Sequence, residues 1–180
     1  MSPSAGTDSV RLAWPSDARD LAEVQRRVWL DAQVTASALE ESFGDLDEHA
    51  GRWAATLGRS PEARFRVLVA VRAAGEVVGY AIVHPGADPD ADPVRDAELG
   101  DLAVDPRARR GGHASRLLQA GIDTAKADGF SLARTWIASG DDAGRTLLVS
   151  AGWAPDGAHR ELEASDGRRI RQVRLHTQIA

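Results

Sequence analysis

The chain has 180 residues, 43% of them hydrophobic and 27% charged, with a formal net charge of −5 and no cysteine. That is material for one ordinary globular core and too little length for two, and the acidic balance gives no support for nucleic acid as a partner, whose phosphates want a basic surface. Without cysteine, disulfides, thiolate zinc sites and a cysteine nucleophile are excluded, and a reducing compartment is permitted.

The opening MSPSAGTDS is small and polar, so residues 1–9 are expected to be a flexible tail ahead of one domain over 10–180. It lacks the basic and apolar regions of a secretion signal, and nowhere do eighteen apolar residues run together; a soluble, cytoplasmic protein without a membrane partner is expected. VRLAW offers a short strand. PSDARDLAEVQRRVWLDA offers a helix with Ser16 or Asp17 as N-cap and Leu21, Val24 and Val28 on one face. A second helix is predicted in DLDEHAGRWAATLG, where Leu46, Ala50, Trp53, Ala54 and Leu57 keep helical spacing and Gly58 is a natural residue to follow its end.

RFRVLVAVRAAGEVVGYAIVHP carries two β-branched runs around AAGE, the pattern of a hairpin. The loop GADPDADPVRD and the strand AELGDLAV follow. A helix over Ala114 to Asp128 presents Leu117, Leu118, Ile122 and Ala125 on one side and closes at Gly129. Gly121 inside it costs roughly 1 kcal/mol against alanine, which predicts a packing reason. SLARTWIA is another strand, DDAGRTLLVSAG another helix with Gly152 beyond its end, and HRELEASDGRRIRQVRLHT a hairpin turning at SDG. The order β-α-α-β-β-β-α-β-α-β-β predicts an α/β (α+β) fold with a mixed sheet flanked by helices.

One turn stands out. RARRGGHASRLL, Arg107 to Leu118, joins the strand LGDLAV to an amphipathic helix whose first amides lack intrahelical partners and whose dipole end is positive. Such an end attracts phosphate. Gly111 and Gly112 remove side chains that would keep a ligand from the amides, Ala114 leaves the path open, and Arg107, Arg109, Arg110 and Arg116 add charge suited to phosphate oxygens. The bland reading is a tight connection with solvated arginines. Neither GxxxxGK[ST] nor GxGxxG is present, so nucleoside triphosphate and dinucleotide lose their fingerprints.

Other constellations are weaker. Asp88, Asp90 and Asp92 have the start of a calcium loop, but Pro93 stands where glycine is needed and Leu99 where the bidentate glutamate belongs; a solvated loop, or one lining the entrance for a cationic amine, is the alternative. The five histidines show neither HExxH spacing nor cysteine partners, so no metal is expected. Trp29 and Trp53 fit a core, and one of them can face an acceptor. No GxSxG supports a serine hydrolase.

LAVDPRARRGGHASRLL resembles the acyl-CoA-binding motif of the GNAT superfamily of N-acyltransferases, whose pattern R/Q-x-x-G-x-G/A is matched by Arg109, Gly112 and Ala114. The element order over residues 10 to 178 is that family's order, and DDAGRTLLVSAGW is similar to its N-x-x-A-x-x-x-Y-x-x-x-G-F segment. The resemblance implies a largely antiparallel sheet splayed between two parallel central strands, near Val104 and Ile137. It also implies acetyl-CoA as acyl donor. The pyrophosphate would lie on the amides of Arg110, Gly111, Gly112, His113, Ala114 and Ser115. The backbone of Leu102, Ala103 and Val104 would pair with the pantetheine arm and supply an oxyanion N–H.

Transfer to an amine needs a proton acceptor, and Glu98 and Asp101 lie on the strand before the turn, facing opposite sides by period two unless a bulge intervenes. Glu98 is slightly favoured. The family's tyrosine acid is replaced by Leu148, and its asparagine by Asp141, which either contacts the cofactor or caps the helix. Tyr80, the sole tyrosine, reads as a half-buried strand aromatic. The expected function is an acetyl-CoA-dependent N-acetyltransferase acting on a primary amine of a small molecule or peptide by direct attack in a ternary complex. The rival, kept open by Leu148, is an acyl-CoA-binding sensor or interaction module. The C-terminal hairpin allows a homodimer.

Overall fold

In the computed structural model, which describes residues 7–163 and 167–179, the described elements are strands β1 (Ser9–Leu12), β2 (Arg66–Val71), β3 (Val77–Pro85), β4 (Asp96–Val104), β5 (Leu132–Ala138), β6 (Ala154–Glu163) and β7 (Arg169–Gln178). The helices are α1 (Ala18–Asp31), α2 (Ala36–Phe43), α3 (Leu46–Gly58), α4 (His113–Ala127) and α5 (Asp142–Ser150). The strands form one mixed sheet in the order β1-β2-β3-β4-β5-β7-β6, with β4 and β5 parallel at its centre. This is the mixed α/β fold that the element order predicts. Among the described residues no helix is long and apolar enough to cross a membrane.

Two compact units divide the chain. In the first, residues 1–82 and 101–121, β1 pairs antiparallel with β2 from Ser9 opposite Val71 to Leu12 opposite Leu68. Its core gathers Leu21 and Val24 of α1, Trp53 of α3, Val67 and Val69 of β2, and Val77 and Tyr80 of β3. Each fully buried aliphatic side chain there contributes roughly 1.5–3 kcal/mol. The helical stripes read from the sequence are the buried ones: Leu21 and Val24 face the core in α1, Trp53 in α3.

Three expectations are corrected here. Asp17 does stand at the N-cap position of α1, as one of the two residues expected there, but its carboxylate makes no cap hydrogen bond to that helix: it accepts from the Trp14 amide (2.7 Å) and the Arg11 guanidinium (2.7 and 2.9 Å), closing a 3-10 turn over Pro15–Asp17. Gly58 is the last helical residue of α3, with Arg59 after it. The third is α2, whose eight residues lay in a stretch with no element assigned; Thr35 caps it through the Ala38 amide (3.2 Å), and Ala38 and Leu39 bury its short apolar face. Of the expected tail, residues 1–6 lie outside the described residues, while Ser9 already belongs to β1 and Asp8 accepts from the Ala73 amide (3.1 Å).

In the second unit, residues 83–100 and 122–180, β4 and β5 are registered over Asp96–Glu98 against 132–134, and the Thr135 hydroxyl donates to the Leu99 carbonyl (2.8 Å). β5 pairs with β7 along its whole length, and β6 follows β7 with a register shift between Pro155 and His159. Gly129 and Gly152 lie just past α4 and α5 in the left-handed region, as expected. Ser165 and Asp166 of the predicted hairpin turn lie outside the described residues.

The acidic loop before β4 is largely exposed, as a solvated loop should be, but its acids are fastened. Arg174 of β7, buried, donates to Asp88 (2.9 Å), to both oxygens of Asp90 (2.7 Å each) and to Asp156 (2.7 Å), while the Trp136 indole N–H donates to Asp88 (2.9 Å). The Arg174 hydrogen bonds hold Asp90 down to about 2. A bidentate arginine that is also buried leaves these carboxylates little charge to offer an arriving amine.

Candidate functional site

The strand β4 ends at Val104, and the next residue anchors the turn. Asp105 is 1% exposed. Its carboxylate accepts from the Arg107 amide (2.9 Å), the Arg107 guanidinium (2.9 Å) and Arg27 Nε of α1 (2.7 Å). Burial pushes this carboxyl up, but the Arg107 side chain and amide and the charge of Arg27 outweigh burial and hold it down to about 2. A 3-10 turn over Pro106–Ala108 follows.

The backbone then enters the left-handed region twice, at Arg110 (φ 64°) and Gly112 (φ 74°). For an arginine this costs roughly 1–2 kcal/mol, which the surroundings must offset, and such strain gathers at functional turns. Gly112 is therefore required by its backbone. Gly111 has another reason than the open path expected of it: a Cβ there would stand 2.8 Å from Nε2 of His113, whose buried side chain folds back beneath the turn.

Arg110, Gly111, Gly112 and Ser115 are exposed, and α4 has no acid in its first turn. Among the described residues, no side chain accepts from the amides of His113, Ala114 or Ser115. The turn thus presents open N–H groups at a positive helix end, a fit for a diphosphate. Its arginines are less available than their number suggests. Arg107 is held by Asp105, Arg109 by Asp31 of α1 (2.6 Å), and Arg116 donates to the Gly111 carbonyl (2.8 Å). Among the described residues the Arg110 guanidinium alone of the four makes no hydrogen bond or ion pair.

On β4, Ala103 packs against the cluster containing Tyr80 and Trp53, so by period two Asp101 faces the same way. Leu102 and Val104 face the other side, where Val104 and Leu117 of α4 meet beside Gly79. Asp101 is exposed; Glu98 is partly buried, with a carboxylate oxygen 3.5 Å from the Ala87 amide. Asp141 caps α5, accepting from the Gly144 amide (2.8 Å). Leu148 is buried in α5.

Tyr80 is more deeply placed than a half-buried strand aromatic: it is 1% exposed, edge-on to Trp53 with ring centroids 5.4 Å apart. Burial first, and the Asp101 charge second, push its phenol up, against a hydrogen bond with Gln25. Gln25 is the hub of a network that the sequence reading missed. Its Oε1 lies 3.0 Å from Trp53 Nε1 and 2.7 Å from His49 Nε2. An indole N–H can only donate, so that atom is the acceptor oxygen; His49 must then carry its proton on Nε2, leaving Nδ1 as an acceptor. Burial, then the Arg52 and Arg26 charges, lower the His49 pKa and keep the ring neutral at pH 7. The only signal in the sequence was a glutamine beside the apolar stripe of α1.

Beside this network lies a cavity of about 220 Å³, walled by Phe43, Trp53, Phe65 and Ile82, with Gln25 and His49 also lining it. Trp29 leans on its rim residues, with its ring 4.2 Å from Phe43 and 6.0 Å from His49.

Solved structures share this fold. An N-acetyltransferase from Staphylococcus aureus Mu50 is similar with a TM-score of 0.73 and 19% identity, over 97% of this chain and 100% of that one. A ribosomal-protein-alanine N-acetyltransferase from Brucella melitensis is similar with a TM-score of 0.71 and 27% identity, over 94% and 98%. A phosphinothricin acetyltransferase from Sinorhizobium meliloti, in complex with acetyl-CoA, gives 0.70 and 20%, over 97% and 89%. No curated protein matches the chain significantly. The profile of the acetyltransferase (GNAT) family matches residues 21–147, well over half the chain, and with the sheet order and the glycine turn before α4 this establishes that the chain belongs to the GNAT acetyltransferase family.

Proposed function

We propose that the protein is an N-acetyltransferase that passes an acetyl group from acetyl-CoA to a primary amine of a small molecule or peptide by direct attack. The observation that carries this reading is the turn over Arg109 to Ser115: two left-handed residues, an exposed glycine pair and a helix with no acid in its own first turn and no side-chain cap among the described residues, in a chain of the acetyltransferase family. When bound, acetyl-CoA supplies the acyl group as an activated thioester. The amides of Arg110 to Ser115 hold the diphosphate, helped by the uncommitted Arg110, and the backbone of Leu102 to Val104 lies along the pantetheine arm and offers an oxyanion N–H.

Asp101 takes the proton from the acceptor amine. It is exposed and shares a sheet face with Tyr80, whereas Glu98 has its carboxylate near the Ala87 amide. Tyr80 is unsuited to be the acid, because burial makes its phenol a weaker proton donor. Leu148 has no proton to give, so the departing sulfur, with a reference pKa of about 8.5, is protonated by water.

The test is a thermal-shift titration with acetyl-CoA, CoA, ATP and NAD, followed by release of CoA thiol with an amine panel. Ligand at 100 times its dissociation constant adds about 2.7 kcal/mol, worth roughly five to ten degrees at this length. Stabilisation by the CoA compounds alone, with a 10²–10⁴-fold slower turnover in Asp101→Asn, supports the reading. Leu148 keeps a second reading, an acyl-CoA-binding module; CoA binding without turnover of any amine selects it. A shift with ATP or NAD and none with acetyl-CoA overturns both.

A further inference from the structure

Three properties of the cavity beside Gln25 describe one kind of occupant. The first is size. About 220 Å³ exceeds the roughly 150 Å³ that admits a benzene ring, and it is far short of a peptide segment. The second is its wall, where Phe43, Trp53, Phe65 and Ile82 present apolar surface that gains by covering an aromatic or branched side chain. Third is its charge. Arg52 also lines the cavity, donates one hydrogen bond to the Ser42 carbonyl (2.8 Å), and lies 5.9 Å from the Phe43 ring. Among the described residues it has no carboxylate partner.

The other titratable group there is His49. Its Nε2 proton is committed to Gln25, and the ring is neutral at pH 7, so Arg52 is the charged group on the lining, and the further charge felt at His49, that of Arg26, has the same sign. An aromatic cage built for a cation places no unpaired arginine at its edge. A carboxylate is the complement that a guanidinium recognises best.

We infer that this cavity is an acceptor subsite for a free amino acid with an aromatic or branched apolar side chain, whose side chain enters between Phe43, Trp53 and Phe65 and whose carboxylate meets Arg52. The inference rests on the acetyltransferase reading above, since it takes the occupant to be the amine that is acetylated. Trp53 of the cavity wall stands edge-on to Tyr80, with ring centroids 5.4 Å apart, and Tyr80 belongs to the cluster on the sheet face that Ala103 and Asp101 share.

The experiment compares L-phenylalanine and L-leucine with phenylalaninamide, phenethylamine, glycine and spermidine on the full chain. CoA thiol is read colorimetrically, without background from a protein that has no cysteine, and binding of the same compounds to the CoA-loaded protein is read by calorimetry. Phenylalanine is expected to exceed its amide and its decarboxylated analogue by about tenfold or more in kcat/KM and in affinity. In Arg52→Gln, an exposed position, that preference falls to about one. Thr56→Trp, on the lining, is expected to raise KM for phenylalanine over tenfold; Phe43→Leu serves if it misfolds. Equal or better binding of the amide, the decarboxylated amine or spermidine overturns the subsite, as does an unchanged preference in Arg52→Gln. Failure of the acetyltransferase reading looks different: no thiol is released from any amine, while calorimetry still decides whether the cavity takes phenylalanine.

Discussion

Two helices of this protein follow a strand by a short turn, α4 after β4 and α5 after β5, and their first turns are finished in opposite ways. At α5, Asp141 accepts from the Gly144 amide and Asp142 adds a second acid, so the helix satisfies its own positive end. Helix α4 has no acid in its own first turn and, among the described residues, no side-chain cap on its first amides. Asp8 lies 3.8 Å from His113 Nε2 and from Arg116 Nη1, on side chains rather than on those amides, and the two preceding left-handed positions turn the backbone at an exposed segment. Caps at helix starts contribute about 1 kcal/mol each, and leaving one out is a cost to the unliganded protein. That cost is the contrast on which the proposed diphosphate site at α4, and not α5, rests.

The comparison is broken most severely by Gly112→Asp, which forces a side chain onto a left-handed residue and sets a negative charge at the open amides. Stabilisation by acetyl-CoA in a thermal-shift titration is expected to disappear, a loss of at least about 100-fold in affinity. Retention of the shift would falsify the assignment of this turn.

Next in size is Asp105→Ala, which strips a buried anchor from Arg27 and Arg107 behind the turn and should cost about 3 kcal/mol in chemical denaturation. The same carboxyl has a pH signature. Its folded pKa, about 2, lies below the ordinary 3.8, so its contribution is complete above about pH 4 and is lost as pH falls toward 2. Asp105→Asn should flatten the acid limb of the stability profile in that window and leave the neutral region's slope alone.

Ser115→Glu sharpens the contrast because it moves two measurements in opposite directions. An acid in the first turn of α4 should raise the unliganded melting temperature slightly, by up to about 1 kcal/mol, while weakening acetyl-CoA binding about tenfold. The smallest effect belongs to α5: Asp141→Ala should cost about 1 kcal/mol, or 2–4 °C, and leave the acetyl-CoA dissociation constant within about twofold. A larger change in that constant would return Asp141 to the cofactor site.

Much of this was legible in one dimension. The glycine pair, the arginines and the apolar stripe of α4 identify a phosphate-type turn because backbone freedom and helix periodicity are local properties, and the family resemblance rests on those residues. Strands β2 and β3 were equally readable, since continuous β-branched runs report burial on both faces. Helix α2 was not, because eight residues with only two large apolar side chains, Leu39 and Phe43, carry little periodic signal.

Local signals in the sequence thus placed every described strand and every helix of nine residues or more, and singled out the turn before α4 as the candidate for an anion. Only the tertiary structure decided which charges are spent. Arg107, Arg109, Arg110 and Arg116 look alike in a string, yet acids or a carbonyl from Asp105, Asp31 and Gly111 hold three of them, and among the described residues Arg110 has no such partner. Likewise it joined Gln25, His49 and Trp53 by hydrogen bonds and set Tyr80 edge-on to Trp53, a buried cluster of residues from two helices and a strand. The reason is physical: helix and turn signals are set by neighbours within a few residues, whereas ion pairs and cavities depend on distances that only folding sets.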